Sequence, residues 1–209
     1  MMSILLSAGI SADALAKYVK LPNPAVSGKM SVEEAINNRR SVRQFKEEAL
    51  SMEHISQLLF AAQGITNKYP PYRAAPSAGA TYPLELYIVM EDGTYQYQPK
   101  KHRLKLIIKK DLRTDLAKAA LGQAVVAKAP MDIVICADYR RTIRRYKERG
   151  ERYVHMEAGH VAENIHLQAA ALKLGSVPIG SFHDDDIKLL LNLHKSLTPL
   201  YIIPVGHPL

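Results

Sequence analysis

Apolar and polar positions alternate along the 209-residue chain with two periods, and the switches between them predict the elements. Ser11 to Val19 has a short helical pattern that Pro22 and Pro24 end. With Gly28, those prolines predict an extended connector, so residues 1–30 are expected to be an N-terminal arm and 31–209 the domain. Ser31-Val32-Glu33-Glu34 is a capping-box pattern that opens a helix running toward Asn38. Ser51 caps a second helix, whose inner face carries Ile55, Leu58, Leu59 and Ala62. Tyr69 to Pro83 contains Pro70, Pro71, Pro76, Pro83 and Gly79, which predicts a long loop of the kind that often carries function.

Strand patterns follow. Leu84 to Met90 (LELYIVM) leads into Asp92-Gly93, a strong hairpin turn, and then into the alternation of Thr94 to Tyr97. His102 to Lys109 reads as a further strand, and Asp111 as the cap of a helix running through Leu121. The unbroken run Met131 to Ala137 (MDIVICA) suits a strand covered on both faces. Val154, Ala158, Val161, Ile165, Ala169 and Leu172 recur at steps of four and three, the stripe of a long core helix ending at Gly175. A short strand near Val177, a helix capped around Asp184–Asp186 and a strand from Leu200 to Val205 complete the order. Helices and strands mix without a regular βαβ alternation, so the fold class is α+β.

Composition narrows the function. Apolar residues make up 47 % and charged residues 23 %, ordinary globular usage that excludes a disordered or coiled-coil chain. A single cysteine, Cys136, excludes a disulfide framework or a multi-cysteine metal site. The early apolar run Ile4-Leu5-Leu6 is short and lacks preceding basic residues, so a cytoplasmic protein is expected, neither exported nor membrane-spanning. The net charge of +8 attracts anions of any kind. Between Asp138 and Arg152 seven Lys/Arg face three acids, as on a solvated helix face. Nucleic-acid binding would want aromatics interleaved there for stacking. Tyr139, Tyr146 and Tyr153 recur instead every seven residues, a spacing for packing on one helical stripe, and no nucleic-acid partner is expected.

Side-chain chemistry has few candidates. The glycine fingerprints of dinucleotide and P-loop sites are absent, as is a serine nucleophile elbow. His155, Glu157 and His160 superficially suggest a zinc helix. Five positions place the two imidazoles about 140° apart, too far around to share a metal. Cys136 has no neighbour that would lower its pKa and reads as a structural thiol. What remains is Arg39-Arg40-Ser41-Val42-Arg43, where three guanidiniums and a hydroxyl could clamp a phosphate. Arginines at a helix C-terminus also complement its dipole, and the segment alone does not choose between the two roles.

Four segments together do. Arg39-Arg-Ser-Val-Arg-Gln-Phe45, Pro76-Ser-Ala-Gly-Ala-Thr-Tyr-Pro-Leu84, Glu157-Ala-Gly-His-Val-Ala-Glu-Asn-Ile165 and Val177-Pro-Ile-Gly180 resemble the nitroreductase superfamily, most of all its SagB-type, azoline-oxidase-like FMN branch. The resemblance runs from Ser31 to Pro208. It implies a mostly antiparallel central sheet wrapped by helices, and a homodimer with FMN at its interface. It further implies that Arg39, Arg40, Ser41 and Arg43 hold the FMN phosphate and ribityl chain. Pro76, Ser77, Ala78 and Gly79 would lie along the isoalloxazine of the partner subunit, and Pro178, Ile179 and Gly180 would form the backbone strip beside the ring. Gly206 and His207 would stand where the family places a glycine and a basic residue near the phosphate. No catalytic side chain is then needed, because the flavin carries hydride from NADH or NADPH to a nitroaromatic, a quinone or a similar small acceptor. Azoline oxidation and non-catalytic FMN binding are the alternatives. The azoline branch uses a lysine in a segment shaped like KYxxRGxRY, where this chain has Arg145 before Tyr146, and arginine makes a poor general base.

Overall fold

A computed structural model describes residues 18–209. The expected helix at Ser11–Val19 falls mostly outside them, and its last residues are strand instead. Tyr18–Lys20 (β1) pairs with the outer edge of a seven-stranded sheet. The other strands of that sheet are Leu84–Met90 (β4), Gly93–Gln98 (β5), Arg103–Ile108 (β6), Met131–Ala137 (β7), Gly175–Ser176 (β8) and Thr198–Gly206 (β9). Their order is β1-β6-β5-β4-β7-β9-β8, with every neighbour antiparallel. Ile65–Lys68 (β2) and Pro71–Arg73 (β3) form a separate hairpin, so the proline-rich stretch is not loop throughout.

The helices are Val32–Asn38 (α1), Met52–Gln63 (α2), Arg113–Ala119 (α3), Ala124–Lys128 (α4), Tyr139–Tyr146 (α5), Arg149–Ala171 (α6) and Asp184–Leu190 (α7). The two predicted caps form as the sequence dictates. Ser31 Oγ accepts from Glu34 N while Glu34 Oε2 accepts from Ser31 N, and Ser51 Oγ accepts from His54 N. Asp111 stands one residue earlier than expected: Leu112 is the cap position, and Asp111 Oδ1 accepts from Arg113 N. That helix stops at Ala119, and α4 follows it separately.

Both sheet faces are covered, which explains why β7 is buried from end to end. Leu84, Leu86, Ile88, Met131, Ile133 and Ile135 pack beneath α2 and α6. Their alternates Tyr87, Val89, Val134 and Cys136 join a second core with Leu116, Val126 and Ile187 of α3, α4 and α7. Strand alternation thus divides one apolar run between two cores. Helix α6 lies along the first core through Val154, Ala158, Val161, Ile165 and Ala169.

The tyrosines spaced by seven do not share one helix. Lys147 takes φ 52°, ψ −134° and breaks the Arg-rich segment into α5 and α6. Gly150 permits the join, since a Cβ there would stand 2.8 Å from the Ile143 Cα. Packing is nonetheless the tyrosines' role: Tyr146 and Tyr153 meet edge to face at 5.0 Å, and the Tyr139 hydroxyl reaches His155 Nε2 at 2.6 Å.

A second glycine locks the Arg39–Arg43 segment onto the sheet. A Cβ on Gly175 would lie 2.6 Å from the Val42 Cβ. Gly175→Ala should therefore cost about 1–3 kcal/mol through overpacking. A denaturant titration would read it as a lower midpoint at unchanged slope.

Candidate functional site

Two groups of candidate residues form, at opposite ends of one stretch of α6. The first lies at the β8 edge. Ser41 bridges to Ser176 of β8, and Val42 N donates to Ser176 O at 3.0 Å. Phe45 bridges to Pro208, and Lys46 N donates to His207 O at 2.9 Å. The segment 39–46 is thereby stitched between β8 and the residues following β9. Ile179 and Ile202 exchange backbone hydrogen bonds, which sets Pro178, Ile179 and Gly180 beside β9. A Cβ on Gly180 would make an ordinary contact with the Tyr201 ring at 3.8 Å, whereas one on Gly206 would strike Pro130 and Phe45. Gly206 is therefore a packing glycine in this chain.

The arginines of this group differ in their commitments. Arg40 donates to Asn37 O and Arg39 O, finishing α1 as a helix-terminal arginine does. Arg39 is half-buried; its guanidinium lies 3.9 Å from Glu163 and 3.4 Å from His166 Nε2. His166 Nδ1 in turn meets Ser176 Oγ at 2.6 Å. Burial, reinforced by Arg39, pushes the His166 pKa down to about 4. The ring is thus neutral: Nδ1–H donates to Ser176, and Nε2 accepts from Arg39. Arg43 and the Ser41 hydroxyl are exposed and make no side-chain hydrogen bond among the described residues. Two guanidiniums and a hydroxyl are therefore presented at one edge, one of them held from behind. The His207 ring lies 3.7 Å from Glu48 and 5.7 Å from the His54 ring.

Pro76, Ser77, Ala78 and Gly79 form the second group. Ala78–Ala80 is a 3-10 turn. Ser77 Oγ accepts from Tyr82 N, and Ala78 O accepts from the Thr81 hydroxyl. Gly79, Ala80 and Tyr82 all have positive φ (57°, 54° and 45°), a concentration of uncommon backbone that surrounding contacts must enforce. Helix α5 supplies them. Arg145 Nη1 donates to Gly79 O at 3.1 Å, Arg141 Nη1 to Tyr82 O at 3.1 Å, and the Thr81 and Thr142 hydroxyls meet at 2.9 Å. The arginine-rich face is thus only partly solvated, since two of its cations fasten this loop. Gly79 is also packed on its inner side, where a Cβ would meet the Tyr146 hydroxyl at 2.6 Å.

Behind the loop lies a residue that pattern analysis passed over as part of an apparent zinc helix. Glu157 is buried in α6 and its Oε1 has no hydrogen-bond partner among the described residues. His155 and His160, by contrast, are exposed on other faces of the helix. Burial pushes the Glu157 pKa up to about 7, while Ser77, Arg73 and Gln63 pull it back. Glu157 and His166 are nine positions apart, about 14 Å along the helix, and each stands behind one candidate group. Only their polarity on an otherwise apolar stripe could have marked them in the sequence.

The sequence model of the Nitroreductase family matches residues 36–207. A protein of Methanocaldococcus jannaschii named as a nitroreductase is 42 % identical over 183 residues, covering 85 % of this chain and 91 % of that one. The FMN reductase (NADPH) of Bacillus subtilis is 25 % identical over 189 residues, and this chain spans 65 % of its length. Among solved structures, a nitroreductase-named protein of Ralstonia eutropha superposes with a TM-score of 0.85 at 28 % identity, over 92 % of this chain and 90 % of that one.

A raised carboxyl pKa has a defined sign for stability. Between the unfolded value near 4.5 and about 7, the folded Glu157 holds a proton that the unfolded chain releases, so its contribution is lost as pH rises through that window. Glu157→Gln should accordingly raise the melting temperature at pH 8 relative to the parent and change it little at pH 5, as measured by calorimetry. With the family match spanning most of the chain and the sheet, loop and edge motifs in place, this protein belongs to the nitroreductase family and is an oxidoreductase.

Proposed function

We propose that the chain is an FMN-dependent NAD(P)H oxidoreductase that works as a homodimer on a nitroaromatic, quinone or similar flat, electron-poor small molecule. The observation that carries this reading is the donor set at the β8 edge. Arg39 is pre-positioned by His166, while Arg43 and the Ser41 hydroxyl beside it have no internal partner among the described residues. This set suits a phosphate dianion, for which charge-assisted and bidentate contacts are the strong ones. The FMN reductase named among the relatives supports the same choice of cofactor.

When bound, FMN would supply the redox chemistry, accepting hydride from a reduced nicotinamide and passing it to the acceptor. The chain's own residues bind and orient. Arg39, Ser41 and Arg43 would hold the phosphate, with Gly206 and His207 closing the same edge. Pro178, Ile179 and Gly180 would form the strip of chain beside the ring, held to β9 through the paired backbone of Ile179 and Ile202. Arg40 contributes chiefly by ending α1. The Pro76–Gly79 turn stands apart from Arg39 within one chain, which fits its lying against the flavin of a second copy. Arg145, which takes the place of the azoline branch's lysine, is spent on the Gly79 carbonyl, and this favours the reductase over azoline oxidation.

The purified protein should show flavin absorption that bleaches on anaerobic addition of NADH or NADPH. Bands that persist would mean a different reductant or a non-catalytic flavoprotein, and a colourless protein that cannot be reconstituted with FMN would overturn the proposal. In the Arg39→Ala and Arg43→Ala variants, FMN affinity should fall about tenfold or more each, since a charged contact is worth about 1.5–3 kcal/mol. Unchanged affinity in both would remove the phosphate site from this edge.

A further inference from the structure

A cavity of about 440 Å³ opens at the other side of the sheet from the β8 edge, over the ends of β4, β5 and β6. Its floor is apolar, made by Leu84, Leu86 and the Tyr97 ring. Its rim holds Arg73, Lys100, Lys101, Arg103 and Arg141, against a single carboxylate, Glu85. Four separate pieces of chain contribute those cations: β3, the turn Pro99–Lys101, β6 and α5. A solvated helix face does not explain such convergence, because the five cations reach the rim from four separate pieces of chain.

The one carboxylate is already spent. Glu85 is ion-paired with Arg141, and its second oxygen accepts from Gln96 Nε2 at 2.8 Å. Of the remaining cations only Arg73 has an acid nearby, the buried Glu157, and its direct partners are neutral. Arg73 donates to the Gln63 amide oxygen and lies over the Tyr82 ring at 4.5 Å. Arg103 donates Nε–H to Gln98 and stacks on Tyr18 at 3.6 Å, which fixes its plane and leaves its outer nitrogens free among the described residues. Lys100 and Lys101 are exposed and form no ion pair among the described residues. Several like charges around a partly enclosed apolar floor repel one another, and low dielectric strengthens that repulsion until an anion enters. Arginines immobilised by stacking also lose little freedom when they bind.

We propose that this cavity is a binding site for a small organic dianion, a compact apolar body bearing two carboxylate-type groups. The volume is that of an ordinary small-molecule site. The body would rest on Leu84, Leu86 and Tyr97 while the acidic groups meet Arg73 and Arg103 inside and Lys100 and Lys101 at the mouth. The assignment goes beyond the flavin reading and does not depend on it, since none of these residues belongs to the 39–43, 178–180 or 206–207 segments. It also touches the candidate loop from behind, because Arg141 holds Tyr82 O and Arg73 lies over the Tyr82 ring.

The test is a calorimetric titration at low salt with phthalate as probe and its neutral dimethyl ester as control. Two variants each remove two positive charges: Lys100→Gln/Lys101→Gln at the cavity mouth and Arg39→Ala/Arg43→Ala at the β8 edge. Phthalate should bind the parent and the edge variant alike and bind the mouth variant about tenfold more weakly or worse, with no binding of the ester. Equal losses in both variants would mean attraction by net charge, loss in the edge variant alone would place the anion at the phosphate motif, and absence of binding to the parent at millimolar phthalate would leave no site. Each of those three results overturns the proposal, as does tight binding of the ester. Both lysines are exposed, so unchanged melting of the mouth variant is the expected check on its fold.

Discussion

Helix α6 is the fixed distance on which the candidate site depends. Its 23 residues lie across an antiparallel sheet and bury one apolar stripe from Val154 to Ala169. Burial of that stripe fixes the helix in rotation, and rotation decides which polar side chains face inward. Glu157 then stands beneath the Pro76–Gly79 turn and His166 beneath Arg39. His166 is held there through Arg39 and Ser176, whereas burial favours the uncharged acid form of Glu157, since a buried charge that lacks a partner costs as much as a core defect. The helix therefore joins packing to function: the contacts that hold it also fix about 14 Å between the two groups.

Strain in the turn at residues 79–82 has a similar economy. Positive φ at Ala80 and Tyr82 is unfavourable for residues with a side chain, and the turn's own hydrogen bonds, from Tyr82 N to Ser77 Oγ and from the Thr81 hydroxyl to Ala78 O, are only part of what holds it. Further compensation comes from α5, which reaches in with Arg141, Thr142 and Arg145. A cluster of cations that looks like surface decoration in the sequence is thus divided by role. Arg141 and Arg145 bind carbonyl oxygens, Arg140 pairs with Asp138 at the start of its own helix, and the rest meet solvent.

Much of the fold is legible because its causes are local. Ser31 and Ser51 start helices through bonds reaching three residues ahead, and Met131–Ala137 declares a doubly covered strand by composition alone. What is not legible has distant causes. The break at Lys147 falls on a residue that is neither proline nor glycine, and depends on how closely Gly150, three positions on, lets α6 nest against Ile143. The β2–β3 hairpin hides in a proline-rich tract because its pairing is short and irregular. In the site, the arginine motif and the turn stand out as local words, and their resemblance to a family gives them meaning. His166 does not, since its partner Arg39 is 127 positions away. Arg40 shows the converse, a motif residue whose observed bonds are those of an ordinary helix end.

The segment 39–46 does one more thing by virtue of its position. Beyond the two residues of β8 the sheet has no further strand among the described residues, and it is Ser41, Val42 and Phe45 that satisfy backbone groups there. Open strand edges invite pairing with other chains, so this stretch serves as the selvage of the sheet. A variant that releases it displaces more than a set of candidate side chains: it uncovers an adhesive margin. In this architecture, release of the candidate edge and exposure of an unpaired strand margin are a single event.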